Sequence, residues 1–98
     1  MTDFNSRNNR AVWFDIPVAD LERAQAFYRA VLGIIVHKEK AGDVTFAVLD
    51  HQDGNGGCLI LAPGQISATT GVLLYLNVDQ RIRAAISQAE KHGGKVVE

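Results

Sequence analysis

Residues 11–33 read AVWFDIPVADLERAQAFYRAVLG, and their pattern changes period half-way. Val12, Phe14, Ile16 and Val18 alternate with Trp13 and Asp15, which predicts a strand over Val12–Val18 with two unlike faces. Asp20 stands where its carboxylate can accept from the free amides of a first helical turn, and Glu22 suits the positive end of that helix. Leu21, Ala24, Phe27, Tyr28, Val31 and Leu32 then recur at helical spacing, and Gly33 supplies a left-handed stop. A strand, a capped turn and an amphipathic helix packed on the sheet follow from this one stretch.

Working outward, Met1–Arg10 is polar, holds three asparagines and has no period that buries a face, so residues 1–10 are expected to form a flexible tail. Downstream, Ile34–Lys40 is predicted as a second strand, Ala41–Asp43 as a turn and Val44–Leu49 as a third strand. Asp50–Gly57 is a long polar hairpin loop, and Cys58–Ala62 the fourth strand. Pro63–Gly71 reads as a linker. Val72–Val78 then looks like a strand again, with Asp79 as a second helix cap. Ile82, Ala85, Ile86 and Ala89 give a second amphipathic helix, His92-Gly93-Gly94 ends it, and Lys95–Val97 opens one more strand.

Ninety-eight residues, 47% hydrophobic and 21% charged, suit one domain (11–98) built from two related modules, 11–62 and 71–98. Ten basic against eleven acidic residues leave a formal charge of -1, which argues against a nucleic-acid partner or an anionic membrane surface. The lone Cys58 has no internal disulfide partner, and no apolar run is long enough to span a bilayer. With no signal-peptide pattern at the start, a cytoplasmic location is expected.

The order βαβββ followed by βαβ, carried by FDIPVADLERAQAFYRAVLG in the first half and LLYLNVDQRIRAAISQAEKHGGKVV in the second, resembles the vicinal oxygen chelate superfamily of glyoxalase I, bleomycin-resistance proteins and extradiol dioxygenases. Val18-x-Asp20-Leu21-x-x-Ala24-x-x-Phe27-Tyr28-x-x-x-Leu32-Gly33 is the first-module signature. The resemblance implies an α+β fold of paired βαβββ modules with a curved mixed sheet, the second module here shortened to βαβ. A ferredoxin-like βαββαβ sandwich with an added strand is the alternative. The shortened second module leaves a sheet edge for another chain, so a homodimer is expected.

The resemblance also implies metal ligands on the first and last strands of each module. Carried over by position, the first falls on Trp13 and its second-module counterpart on Leu73, neither of which binds a metal. Cys58–Ala62, expected to hold a carboxylate, has no aspartate or glutamate. No metal and no cofactor are therefore expected. Trp13, Asp15, Leu73, Tyr75 and Asn77 are expected to line a cavity that takes a small aromatic or amphipathic molecule, stacked on Trp13 and oriented by Asp15 and Tyr75. Trp13 and Tyr75 could equally fill space between the modules.

Asp15 is the weak catalytic candidate: a carboxylate among Trp13, Phe14 and Ile16 would have a raised pKa if buried alone, and could act as a general acid or base. The alternatives are solvation or pairing with an arginine, for which Arg7, Arg10 and Arg29 are candidates. His37 reads as a solvated edge residue, Asp50 and His51 lack a third ligand, and Cys58 reads as a small buried residue rather than a nucleophile. The glycines of Gly54-Asn55-Gly56-Gly57 lead into a strand without a lysine, so they read as a hairpin turn rather than a phosphate loop.

The reading leans toward a metal-free binding protein rather than an enzyme. The alternatives are a lyase, isomerase or dioxygenase of the same superfamily, related to lactoylglutathione lyase, and a small ferredoxin-like regulatory or interaction module.

Overall fold

A computed structural model of the chain describes residues 9–97. The elements run β1 (Asp15–Val18), α1 (Leu21–Leu32), β2 (Val36–Ala41), β3 (Val44–Leu49), β4 (Cys58–Leu61), a 3-10 turn (Pro63–Gln65) and α2 (Ile82–Lys91). The α+β class and the βαβββ order of the first half are as expected. The flexible tail expected over residues 1–10 lies almost entirely outside the described residues; Asn9 and Arg10 are exposed.

One four-stranded mixed sheet has the order β1-β4-β3-β2. β2 and β3 form an antiparallel hairpin from Val36↔Leu49 to Ala41↔Val44, and β3 pairs antiparallel with β4. β1 runs parallel to β4 with Asp15 opposite Cys58. The helix of the β1–α1–β2 stretch covers the sheet and lets the chain return to put β4 beside β1 in parallel.

Register assigns the faces. Ile16, Leu59, Ala47, Leu49 and Val36 share one side, and with Leu21 and Leu32 of α1 they make the core. Phe14, Val18, Tyr28, Leu76 and Val78 pack around that core. Asp15, Pro17, Cys58, Ile60, Phe46 and Val48 lie on the other face. α2 packs on α1, so both helices stand on the core side.

Helix α1 begins as its sequence dictates: the Arg23 amide donates to Asp20 Oδ1 at 3.1 Å. It ends at Gly33, where φ of 66° places the residue in the left-handed region and its amide donates to the Arg29 carbonyl. The other end of the molecule departs from expectation. α2 starts later than Asp79 implies, with Arg81 at its N-cap and no side-chain cap bond. Asp79 instead donates its amide to Asn77 Oδ1 at 2.8 Å, and Gln80 takes a φ of 63° in a turn closed by the Arg81 amide on the Val78 carbonyl. Gln80, in the left-handed region directly after Asp79, cannot be a first helical residue, so the helix opens only beyond this turn.

The strands expected at Val72–Val78 and Lys95–Val97 form no ladder. Neither segment has a neighbouring strand among the described residues, and without one Leu76 and Val78 pack on the core while Leu74 stays exposed and no sheet forms. Val72 is 88% exposed. The ferredoxin-like alternative is not realised, because every strand of the sheet precedes residue 62. Among the described residues no helix is long and apolar enough to cross a membrane.

Candidate functional site

Parallel pairing of β1 with β4 places the side chains of Asp15 and Cys58 side by side on the face opposite the helices. The Cys58 thiol donates to Asp15 Oδ1 at 3.1 Å. Cys58 is only 4% exposed. Burial pushes its pKa up to about 12, and the hydrogen bond and negative charge of Asp15 push the same way, while a hydrogen bond with Trp13 acts in the opposite sense. The thiol is therefore protonated at neutral pH and serves as a donor rather than a nucleophile. Asp15 is exposed and makes no ion pair with an arginine among the described residues. Of the alternatives open for Asp15, the structure shows a carboxylate that is exposed and accepts from the Cys58 thiol rather than one buried alone.

Trp13, just before β1, is partly buried, and its ring meets His51 edge-on with centroids 5.7 Å apart. The His51 Nδ1 lies 2.8 Å from the Gly54 carbonyl. With that nitrogen as the donor, the bond folds the β3–β4 loop back over the imidazole. A Cβ on Gly56 would come within 2.6 Å of the His51 ring, so the loop needs a bare backbone there. The glycines thus act as packing for a histidine, in keeping with a hairpin turn rather than a phosphate cradle.

Four of the five expected cavity residues divide between two clefts that meet at Phe14. Trp13 and Asp15 line a cleft of about 610 Å³ with Pro17, Ile66, Val72 and Leu74. Tyr75 and Asn77 line a second, of about 730 Å³, with Leu49, His51 and Asn55. Leu73 lines neither and is 76% exposed. Tyr75, at 89% exposure, does not share a cleft with Asp15. The division has a physical cause: with 72–78 outside the sheet, its alternation no longer points Leu73, Tyr75 and Asn77 at the face that carries Asp15.

Cys58 as the partner of Asp15, and His51 as the neighbour of Trp13, were not apparent from sequence. Both contacts depend on β4 lying beside β1, a long-range register that spacing along the chain does not encode. His37 is exposed on edge strand β2, as expected.

The residues do not fit a divalent metal. Trp13 stands where the resemblance implies the first ligand, and β4 reads CLIL. No group of three histidine, cysteine, aspartate or glutamate side chains gathers among the described residues. What the open face offers is an aromatic ring, one carboxylate held by a buried thiol, and the partly buried apolar side chains of Phe46, Val48 and Ile60.

Residues 10–38 match the model of the family described as bleomycin resistance protein-like N-terminal. That match spans β1, α1 and the start of β2, the segment that carries the signature, and it supports the vicinal oxygen chelate superfamily. The mixed α+β sheet is consistent with such a fold. No curated protein and no solved structure matches the chain.

Proposed function

We propose that this chain is a metal-free binding member of the superfamily, which holds a small aromatic or amphipathic molecule against the open face of the sheet. The observation that carries the reading is the grouping of Trp13, Asp15 and Cys58 at the edge of an apolar face that no helix covers. The ring supplies a flat apolar contact and the carboxylate an acceptor that orients a ligand donor. A second copy completes the cavity. Leu73 and Tyr75, exposed on the same chain, are the apolar side chains available to cover a neighbour's open face, and Asn77 adds a polar group beside them. Asp15 orients the ligand, its carboxylate held in place by the hydrogen bond from the buried Cys58 thiol.

Trp13 is the sole tryptophan, so its fluorescence reports on the face directly. Titration with anilinonaphthalene sulfonate, an amphipathic aromatic probe, is expected to quench Trp13 saturably, and Asp15→Ala to weaken the binding. Quenching that is linear in probe, or unaffected by Asp15→Ala, would contradict the reading.

A further inference from the structure

A separate cleft of about 330 Å³ opens between the first turns of α1 and the end of α2. Apart from Ile66 it shares no lining residue with the face that carries Trp13. Its apolar wall is Val18, Ala24, Phe27 and Tyr28, with the two rings edge-to-face at 5.1 Å. Burial raises the Tyr28 pKa, which keeps the hydroxyl a neutral donor.

The polar side of the cleft is built by how α2 ends. The Gly94 amide donates to the Ala89 carbonyl and the Gly93 amide to the Glu90 carbonyl, with Gly93 at φ +90°. This turn presents bare backbone to α1. A Cβ on Gly93 would lie 3.1 Å from Arg23 Nη2, and one on Gly94 would lie 3.0 Å from the Phe27 ring. The guanidinium of Arg23 thus lies at the cleft, and its side chain makes no hydrogen bond or ion pair among the described residues. His92 lines the same cleft, and Asp20, whose Oδ1 is engaged by the Arg23 amide, limits the negative charge the cleft accepts.

We propose that this cleft binds a small aromatic monocarboxylate, its ring against Phe27 and Tyr28 and its carboxylate paired with the Arg23 guanidinium. A planar fork without a partner among the described residues matches a carboxylate bidentately, and the aromatic wall rewards a ring over an aliphatic chain. A dianion would bring its second charge toward Asp20 and bind less well.

The test uses phenylacetate and its neutral amide, phenylacetamide, titrated into the full chain while backbone amide NMR shifts are followed. Phenylacetate is expected to move the Arg23, Phe27, Gly93 and Gly94 amides saturably, with phenylacetamide about tenfold weaker. Arg23→Gln is expected to abolish the preference for the acid while the remaining spectrum is unchanged. Equal binding of acid and amide by the unaltered chain would overturn the proposal without any variant. So would the absence of saturable shifts, or shifts centred on Trp13 and Asp15, which would place the ligand on the open sheet face instead.

Discussion

Asp15 and Cys58 show how one carboxylate sets the chemistry of its neighbour. Replacing Asp15 with Asn removes the charge and weakens the acceptor, so the Cys58 pKa is expected to fall from about 12 while staying above its ordinary 9.0, because burial remains. Ultraviolet titration of thiolate absorbance checks this; an unchanged or raised value would contradict it. The sign for stability follows from the direction of the shift. An unfolded thiol loses its proton near 9.0, whereas the folded one holds it to about 12, so stability from this group is complete below 9.0 and is lost as pH rises between those values. The slope is about 1.4 kcal/mol per pH unit at most. Gln25 makes a second case. It is 7% exposed on the sheet-facing stripe of α1, and its Oε1 has no hydrogen-bond partner. Gln25→Met keeps the length and removes the unsatisfied oxygen, and is expected to stabilise the fold by about 1 kcal/mol in a denaturant melt.

At the scale of elements, two helix ends are held by opposite means. α1 is capped from its own sequence, and Asp20→Ala is expected to cost about 1 kcal/mol while leaving probe binding on the open face intact. Its other end is held from fifty residues away: Arg81 Nη1 donates to the Val31 carbonyl at 2.7 Å and Nη2 reaches the Ala30 carbonyl at 3.4 Å. This places a cation at the negative end of α1 and ties the start of α2 to it. Arg81→Ala is expected to cost about 1 to 2 kcal/mol and to speed hydrogen exchange in α2. A Cβ on Gly33 would fall 2.7 Å from the Arg81 guanidinium carbon, so Gly33→Ala disturbs the same contact, and the two changes together are expected to cost less than their sum. The local half of this arrangement was legible, because Asp20, the apolar stripe and Gly33 lie within one stretch of chain. The Arg81 contact was not, since Arg81 reads as an ordinary surface residue until α2 is laid on α1. Asp79 misled for a related reason: the turn from Val78 to Arg81 puts Gln80 in the left-handed region, which a cap motif alone does not reveal.

For the whole molecule, the βαβββ half was readable because its periods are long and its turns explicit. The placement of 72–78 was not, because alternation states which side chains share a side but not whether a neighbouring strand exists to pair with. The placement of the candidate residues was legible to the same extent: Trp13 and Asp15 share a cleft as their common strand face implies, and Leu73, Tyr75 and Asn77 do not join them within one chain. Isolated growth of the sheet edge to edge is disfavoured. The Phe14 and Val18 carbonyls accept from Cys58 and Ala62, so residues 15 and 17 turn their backbone outward on β1, and Pro17 has no amide to offer. The opposite edge, β2, carries Lys38, Glu39 and Lys40, which discourage the same pairing. The proposed dimer therefore uses the open face rather than a sheet edge. Trp13→Ala is accordingly expected to weaken probe binding and to cost about 2 to 4 kcal/mol, somewhat below a fully buried ring. Native mass spectrometry of the 98-residue chain reads subunit number, metal and retained ligand together. The account predicts a dimer free of metal, with any retained mass that of a small organic molecule; a monomer holding one divalent ion would contradict it.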